Sequence, residues 1–137
     1  MKRDLVLCGV GGQGILSIAA VVDRAAVSAG FHVKQPEVHG MAQRGGAVHA
    51  FVRISAEPID CDLPPQGSAE LILSVEPMEA LRYVEWLSPE GVIVTDLTPV
   101  ASLKNYPDDE TLQAALYGLP RVIGLDATRL ARKAGSA

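Results

Sequence analysis

The 137-residue chain is short of several features that would place it in large protein classes. Cysteine is scarce: Cys8 and Cys61 lie far apart with no Cys-x-x-Cys, which argues against a disulfide scaffold or a cysteine-held iron–sulfur cluster within the chain. Three histidines without metal-like spacing argue against zinc. Basic residues are outnumbered, 12 Lys and Arg against 16 Asp and Glu, for a net charge of −4. A general nucleic-acid binder shows the opposite balance, as a basic patch or stripe. Apolar runs stop at about five residues, far below the ~20 of a membrane-spanning helix. Met1-Lys2-Arg3-Asp4 enters an extended segment at once, so no secretory leader is expected. Aromatics make up only 4%, yet hydrophobic residues reach 48% and charged residues 20%, enough to bury a core. The expectation is one cytoplasmic α/β domain over residues 1–137.

Asp4-Leu5-Val6-Leu7-Cys8 is a short apolar run that ends in glycines, as a buried parallel strand does. Ile15–Ala29 carries Ile15, Leu16, Ile18, Ala19, Val22 and Ala26 on a broad helical face, with Gly30 as a C-terminal cap. Phe31–Lys34 returns to extended structure and closes a β-α-β unit. Gln35–Gly46 has no period and reads as a loop. Ala47–Ile54 alternates like a half-exposed strand, Val48, Ala50, Val52 and Ile54 on the buried face against His49, Phe51 and Arg53 on the other, and Ser55-Ala56-Glu57 turns it into Pro58–Cys61. An antiparallel hairpin over Ala47–Cys61, at an edge, is therefore predicted. Leu71–Val75 and Gly91–Thr95 read as buried strands around a helix Met78–Leu87, with Pro77 in its first turn. A helix from about Asp108 to Tyr117, a strand Arg121–Leu125 and a helix capped by Asp126 complete the chain.

This alternation predicts a three-layer α/β/α fold around a mostly parallel sheet with right-handed crossovers. Ligands in such folds gather outside the carboxyl ends of the strands. Gly9–Gly14, Gln35–Gly46, Glu76-Pro77 and Asp96–Pro99 each follow a strand end, so they are expected to converge on one rim.

Gly9-Val10-Gly11-Gly12-Gln13-Gly14 satisfies G-x-G-x-x-G between a strand and a helix. Residues without Cβ let backbone N–H groups approach an anion at the positive end of a helix. The same glycines also suit a tight turn that serves only packing. A dinucleotide site needs an acidic residue at the end of the second strand. Lys34 and Gln35 stand there, and Glu37 follows only after Pro36, which counts against that reading and leaves a phosphate-bearing ribose open. Glu37-Val38-His39-Gly40-Met41-Ala42-Gln43-Arg44-Gly45-Gly46 sets four kinds of polar group between glycines, in a loop where function concentrates. Arg44 has the fork geometry for carboxylate or phosphate, or for a pair with Glu37. His39 suits a hydrogen-bonded structural role as well as binding. The binding candidates are Gly9, Gly11, Gly12, Gln13, Gly14, Glu37, His39, Gln43, Arg44, Gly45 and Gly46. Nothing fixes a nucleophile–base pair, so no catalytic residue is assigned.

Those two loops, together with Glu76-Pro77-Met78-Glu79-Ala80-Leu81-Arg82-Tyr83, resemble the beta subunits of indolepyruvate:ferredoxin oxidoreductases. More broadly, from Leu5 onward the chain is similar to the gamma subunit or gamma domain of 2-oxoacid:ferredoxin oxidoreductases. The resemblance implies a Rossmann-like unit with no cofactor of its own. Thiamine diphosphate, Mg and iron–sulfur clusters would sit on a large partner subunit, with ferredoxin as electron acceptor and coenzyme A as co-substrate. The assembled enzyme would oxidatively decarboxylate a 2-oxoacid, most simply an aryl pyruvate, to an acyl-coenzyme A. Members of that family generally continue past the equivalent of Gly135 into a helical segment, so the resemblance implies a gamma-type domain lacking a C-terminal segment. Charge and apolar run length leave no nucleic-acid or membrane partner expected, and the glycine-rich loop with Met41 and Arg44 suits an interface, so self-association is expected when the large subunit is missing. Two other readings stay open: a free-standing nucleotide-binding oxidoreductase, and a non-enzymatic binding module of the same fold.

Overall fold

Strand β1 (Lys2–Val10) runs through the middle of a seven-stranded sheet and is buried from Val6 to Val10. The structure, a computed structural model, describes residues 1–39, 45–100 and 105–135, with His39 described by its backbone alone. Helix α1 (Ile15–Ser28) follows, then the short strands β2 (His32–Lys34) and β3 (Glu37–His39) and the long β4 (Ala47–Ser55). Next come β5 (Ala69–Ser74), α2 (Pro77–Arg82) with a 3-10 turn at Val84–Trp86, and β6 (Leu87–Asp96). Helix α3 (Asp109–Tyr117), β7 (Val122–Leu125) and α4 (Ala127–Lys133) complete the chain.

The spatial order is β2-β4-β1-β5-β6-β7, with β3 also paired to β4. Strands β1, β5, β6 and β7 are mutually parallel, whereas β4 is antiparallel to β1, β2 and β3. The mostly parallel α/β sheet is thus as expected, with β4 alone reversed among the described strands. Its faces separate cleanly because side chains alternate along a strand. Val6 and Cys8 join Ile72, Ile93, Ala80, Leu112 and Leu116 beneath α2 and α3. Leu7, Ala50 and Val52 pack with Ile15 and Ala19 of α1 on the other face.

Three expectations need correction. The Ala47–Cys61 hairpin does not form: Pro58–Cys61 is not a strand, and β4 pairs with β1 from Lys2↔Ser55 to Val10↔Ala47 in the sheet interior. The reason is Arg53, which alternation marked as solvent-facing but which is 2% exposed. It donates to Asp4 Oδ1 at 2.8 Å and to the carbonyls of Cys61 and Leu63, each at 2.8 Å. The segment after β4 is spent on satisfying that guanidinium. Second, Gln35–Gly46 is not wholly a loop, since β3 continues the edge begun by β2, from Glu37↔Ala50 onward. Pro36 interrupts the two because it has no N–H to give the ladder, though its carbonyl accepts Phe51 N–H at 3.1 Å. Third, the helix after Pro77 ends at Arg82, and β6 starts earlier than expected, at Leu87.

Among the described residues, cover is thinner over the far half of the α1 side: Leu73 and Val94 are half-buried, whereas Leu7, Ala50 and Val52 are wholly buried. Leu73, Val94 and Ile123 stand in register across β5, β6 and β7 on that side, whereas α1 lies over β1, β2 and β4. Ile123 is 56% exposed. Parallel strands with Val, Leu and Ile on both faces are normally covered on both. Among the described residues no helix is long and apolar enough to cross a membrane.

Candidate functional site

The carboxyl ends of the parallel strands bring the β1–α1 loop, the β5–α2 turn and the β6–α3 connection to one rim, as expected, and the start of α4 joins them there. Gly11 N–H donates to the Gly46 carbonyl at 2.8 Å, joining the glycine loop to the entry of β4. Val75 N–H donates to the Cys8 carbonyl at 3.1 Å, and Leu97 N–H to that of Leu125 at 3.0 Å.

The glycines differ in what they do. Gly9 is a packing glycine: a Cβ there would lie 2.6 Å from Val75 Cγ2, 2.9 Å from Gln13 Oε1 and 3.0 Å from Ile15 Cδ1. Gly12 (φ +96°) and Gly14 (φ +83°) adopt the left-handed region, and a Cβ at either would meet open space. Gly14 is the N-cap of α1, without a side-chain cap and with no acidic residue in the first turn. That leaves the positive end of a 14-residue helix facing the space beside Gly12 and Gly14. Gln13 is committed to the scaffold, since Oε1 accepts Val10 N–H at 2.7 Å and Nε2 donates to the Val75 carbonyl at 3.0 Å. Gly45 is left-handed too, with φ +80°.

Of the second loop, the described residues are 35–39, 45 and 46. Glu37 lies one step down the sheet edge, where it accepts a hydrogen bond from Gln35. Burial, and then the charge of Glu37, raises the Asp23 carboxyl above its ordinary pKa. His39 pairs with Val48 through its backbone. Gln43 and Arg44 lie outside the described residues. At the end of β2, Lys34 forms an exposed ion pair with Asp62 at 3.1 Å.

Sequence reasoning marked Glu76-Pro77 and Asp96–Pro99 as rim segments without giving their carboxylates a role. Glu76 is wholly buried and Asp96 is 7% exposed. The available signal was local: an acidic residue directly before Pro at a helix start, and Asp96 at the end of an apolar strand. Behind the rim, the Tyr83 hydroxyl and His49 Nδ1 meet at 2.8 Å, and burial lowers the His49 pKa. Among the described residues no group of three or more His, Cys, Asp or Glu side chains is placed to hold a metal.

The two thiols are sharply unequal. Burial pushes Cys8 up to about 12, against the lowering effect of a Ser74 hydrogen bond and with the charges of Glu79 and Glu76 adding to the rise. Cys61 is exposed. A thiol-specific reagent should therefore label Cys61 in the native chain and Cys8 only on unfolding; equal native rates would contradict this burial. Because the raised thiol keeps its proton in the folded state, its contribution is full below about pH 9 and is lost as pH rises toward 12. Stability should fall there with a slope of ~1.4 kcal/mol per pH unit from this one group, and Cys8→Ala should flatten it.

The fold is that of an α/β unit with a glycine-loop rim, and the chain belongs to the pyruvate ferredoxin/flavodoxin oxidoreductase family, whose model matches residues 4–137. Within that family it is similar to indolepyruvate oxidoreductase subunit IorB. Identity is 38% to the Archaeoglobus fulgidus protein, over 99% of this chain and 70% of the relative. It is 39% to that of Thermococcus kodakarensis, over 98% of this chain and 70% of the relative. Among solved structures, the PORC subunit of pyruvate oxidoreductase from Thermotoga maritima superposes with a TM-score of 0.68 at 22% identity, over 96% of this chain and 66% of that one. The 2-oxoglutarate:ferredoxin oxidoreductase of Magnetococcus marinus, solved with 2-oxoglutarate, coenzyme A and succinyl-CoA bound, also gives 0.68, at 18% identity over 98% of this chain and 22% of that one. These structures share the fold, and the chain spans about two thirds of the length of the separate subunits. The resemblance carried by the two loops and the Glu76–Tyr83 motif is thereby established.

Proposed function

We propose that this chain is the gamma-type subunit of a multi-subunit 2-oxoacid:ferredoxin oxidoreductase acting on aryl pyruvates such as indolepyruvate, and that its rim forms the coenzyme A side of the active site. A larger subunit holds thiamine diphosphate, Mg and the iron–sulfur clusters and passes electrons to ferredoxin in the cytoplasm. This chain supplies no nucleophile; it binds and orients. Residues 1–137 form a single gamma-type domain. The observation that carries the reading is the uncapped start of α1, with Gly12 and Gly14 open beside it. An exposed helix N-terminus favours an anion by about 0.3–1 kcal/mol. Arg44 adds a charge-assisted hydrogen bond to a coenzyme A phosphate, typically ~1.5–3 kcal/mol. A free-standing dinucleotide enzyme is disfavoured because Lys34 and Gln35, not an acidic residue, stand at the end of β2.

Arg44→Ala in the assembled complex tests this. Apparent coenzyme A affinity should fall about tenfold, or ~1.4 kcal/mol, with assembly intact. Unchanged affinity with weakened assembly would make Arg44 an interface residue instead.

Without its partner, the chain should self-associate, a second copy covering the register-matched Leu73, Val94 and Ile123. Light scattering should show a concentration-dependent dimer that Val94→Lys or Ile123→Lys returns to monomer. A wild-type chain that stays monomeric at high concentration rules this out.

A further inference from the structure

Three side chains at the rim each span one gap between neighbouring loops, and they follow the order of the strands. Gln13 ties the β1–α1 loop to the β5–α2 turn through Val10 and Val75. Glu76 ties that turn to the β6–α3 connection: Oε2 accepts Glu79 N–H at 2.9 Å, while Oε1 accepts the Tyr106 hydroxyl and, at 3.5 Å, Val100 N–H. Asp96 ties that connection to α4, with Oδ1 accepting Thr98 N–H at 2.8 Å and Oδ2 accepting Ala127 N–H at 3.3 Å. Val75 and Glu76 are adjacent, so the first two links share a turn.

We propose that Gln13 is a positioning residue and not a ligand contact, and that Glu76 and Asp96 carry the same brace across the rim, fixing the glycine loop relative to the β6–α3 connection. This rests on the coenzyme A reading above only for what the brace positions. The Gln13 amide spends its oxygen and one donor on backbone groups, and a Cβ at Gly9 would strike that same oxygen. Sites held this way lose function when the support is loosened, because small displacements misalign the bound group.

Hydrogen–deuterium exchange on the full chain tests the brace without ligand. Gln13→Met keeps the side chain's length and removes both bonds. Exchange should quicken about five- to tenfold, the scale of one neutral hydrogen bond, at residues 75–80 as well as 11–15. Quickening confined to 11–15 overturns the brace. In the assembled complex, Gln13→Met and Tyr106→Phe should both raise the KM for coenzyme A while kcat is kept. A rise with Gln13→Met alone would make Gln13 a direct contact and overturn the assignment. Gln13→Glu adds a pH signature: the introduced carboxylate repels the Val75 carbonyl when ionised and regains a donor when protonated. Its KM defect should shrink as pH falls, and a pH-independent defect counts against positioning. If exchange shows the coupling yet no variant, Arg44→Ala included, moves the KM, then the coenzyme A reading fails and the brace stands.

Discussion

Arg53→Leu should cost the folded chain about 3–5 kcal/mol, the scale measured when one partner of a buried ion pair is removed. Arg53 is 2% exposed and Asp4 6%. The guanidinium holds Asp4 Oδ1 at 2.8 Å and the carbonyls of Cys61 and Leu63 at the same distance. Without it, Asp4 keeps only Ser68 Oγ, at 2.9 Å, among its described hydrogen-bond partners. A charge of that kind in a sheet interior cannot recover its hydration. For a domain of this size the loss corresponds to a melting-temperature drop of about 10–20 °C. The double variant Asp4→Val with Arg53→Leu should recover much of it, because the unpaired charge is gone. A single variant that melts within a few degrees of wild type would show that the pair is not desolvated.

Gly9→Val should be nearly as damaging, by about 3 kcal/mol, at or above the upper end for overpacking a filled core. Its Cβ alone would approach Val75, Gln13 and Ile15 to 3.0 Å or less, and two further methyl groups have nowhere to go. Gly12→Ala is the contrast. Space is open there, but φ is +96°, so only left-handed strain of roughly 1–2 kcal/mol opposes it. Urea unfolding of both variants checks the order. Were Gly12→Ala the more destabilising, the first glycine of the motif would not be a packing glycine. Gly9→Val should also weaken coenzyme A binding in the complex, since it displaces the Gln13 amide.

Much of this architecture is legible along the chain. Leu71–Val75 and Gly91–Thr95 announce buried strands because interior parallel strands carry apolar side chains on both faces and so read as continuous apolar runs. The break at Gly9–Gly14 marks a strand-to-helix turn because Gly12 and Gly14 need left-handed backbone. Asp126 is a recognisable cap, and it accepts the Arg129 N–H at 2.8 Å. All of these are local demands of dihedral angle, periodicity or helix-end hydrogen bonding.

What the chain does not show locally is where a buried polar group finds its partner. Arg53 sits in an alternating strand and reads as solvent-facing; only the pairing of β4 with β1, which sets Asp4 opposite it, makes it an interior residue. Gln13 reads as a ligand contact until the β5–α2 turn is seen to take its amide. Glu76 is recognisable as an N-cap, but its bond to Tyr106, thirty residues on, exists only because β5 and β6 lie side by side. Most helices, the buried strands and the glycine turn can be read along the chain, because backbone geometry acts over a few residues; β3 and the end of β4 cannot. Tertiary structure decided the strand order and which rim side chains bind and which brace, because a desolvated charge or amide must be satisfied by whatever group the fold brings within 3 Å.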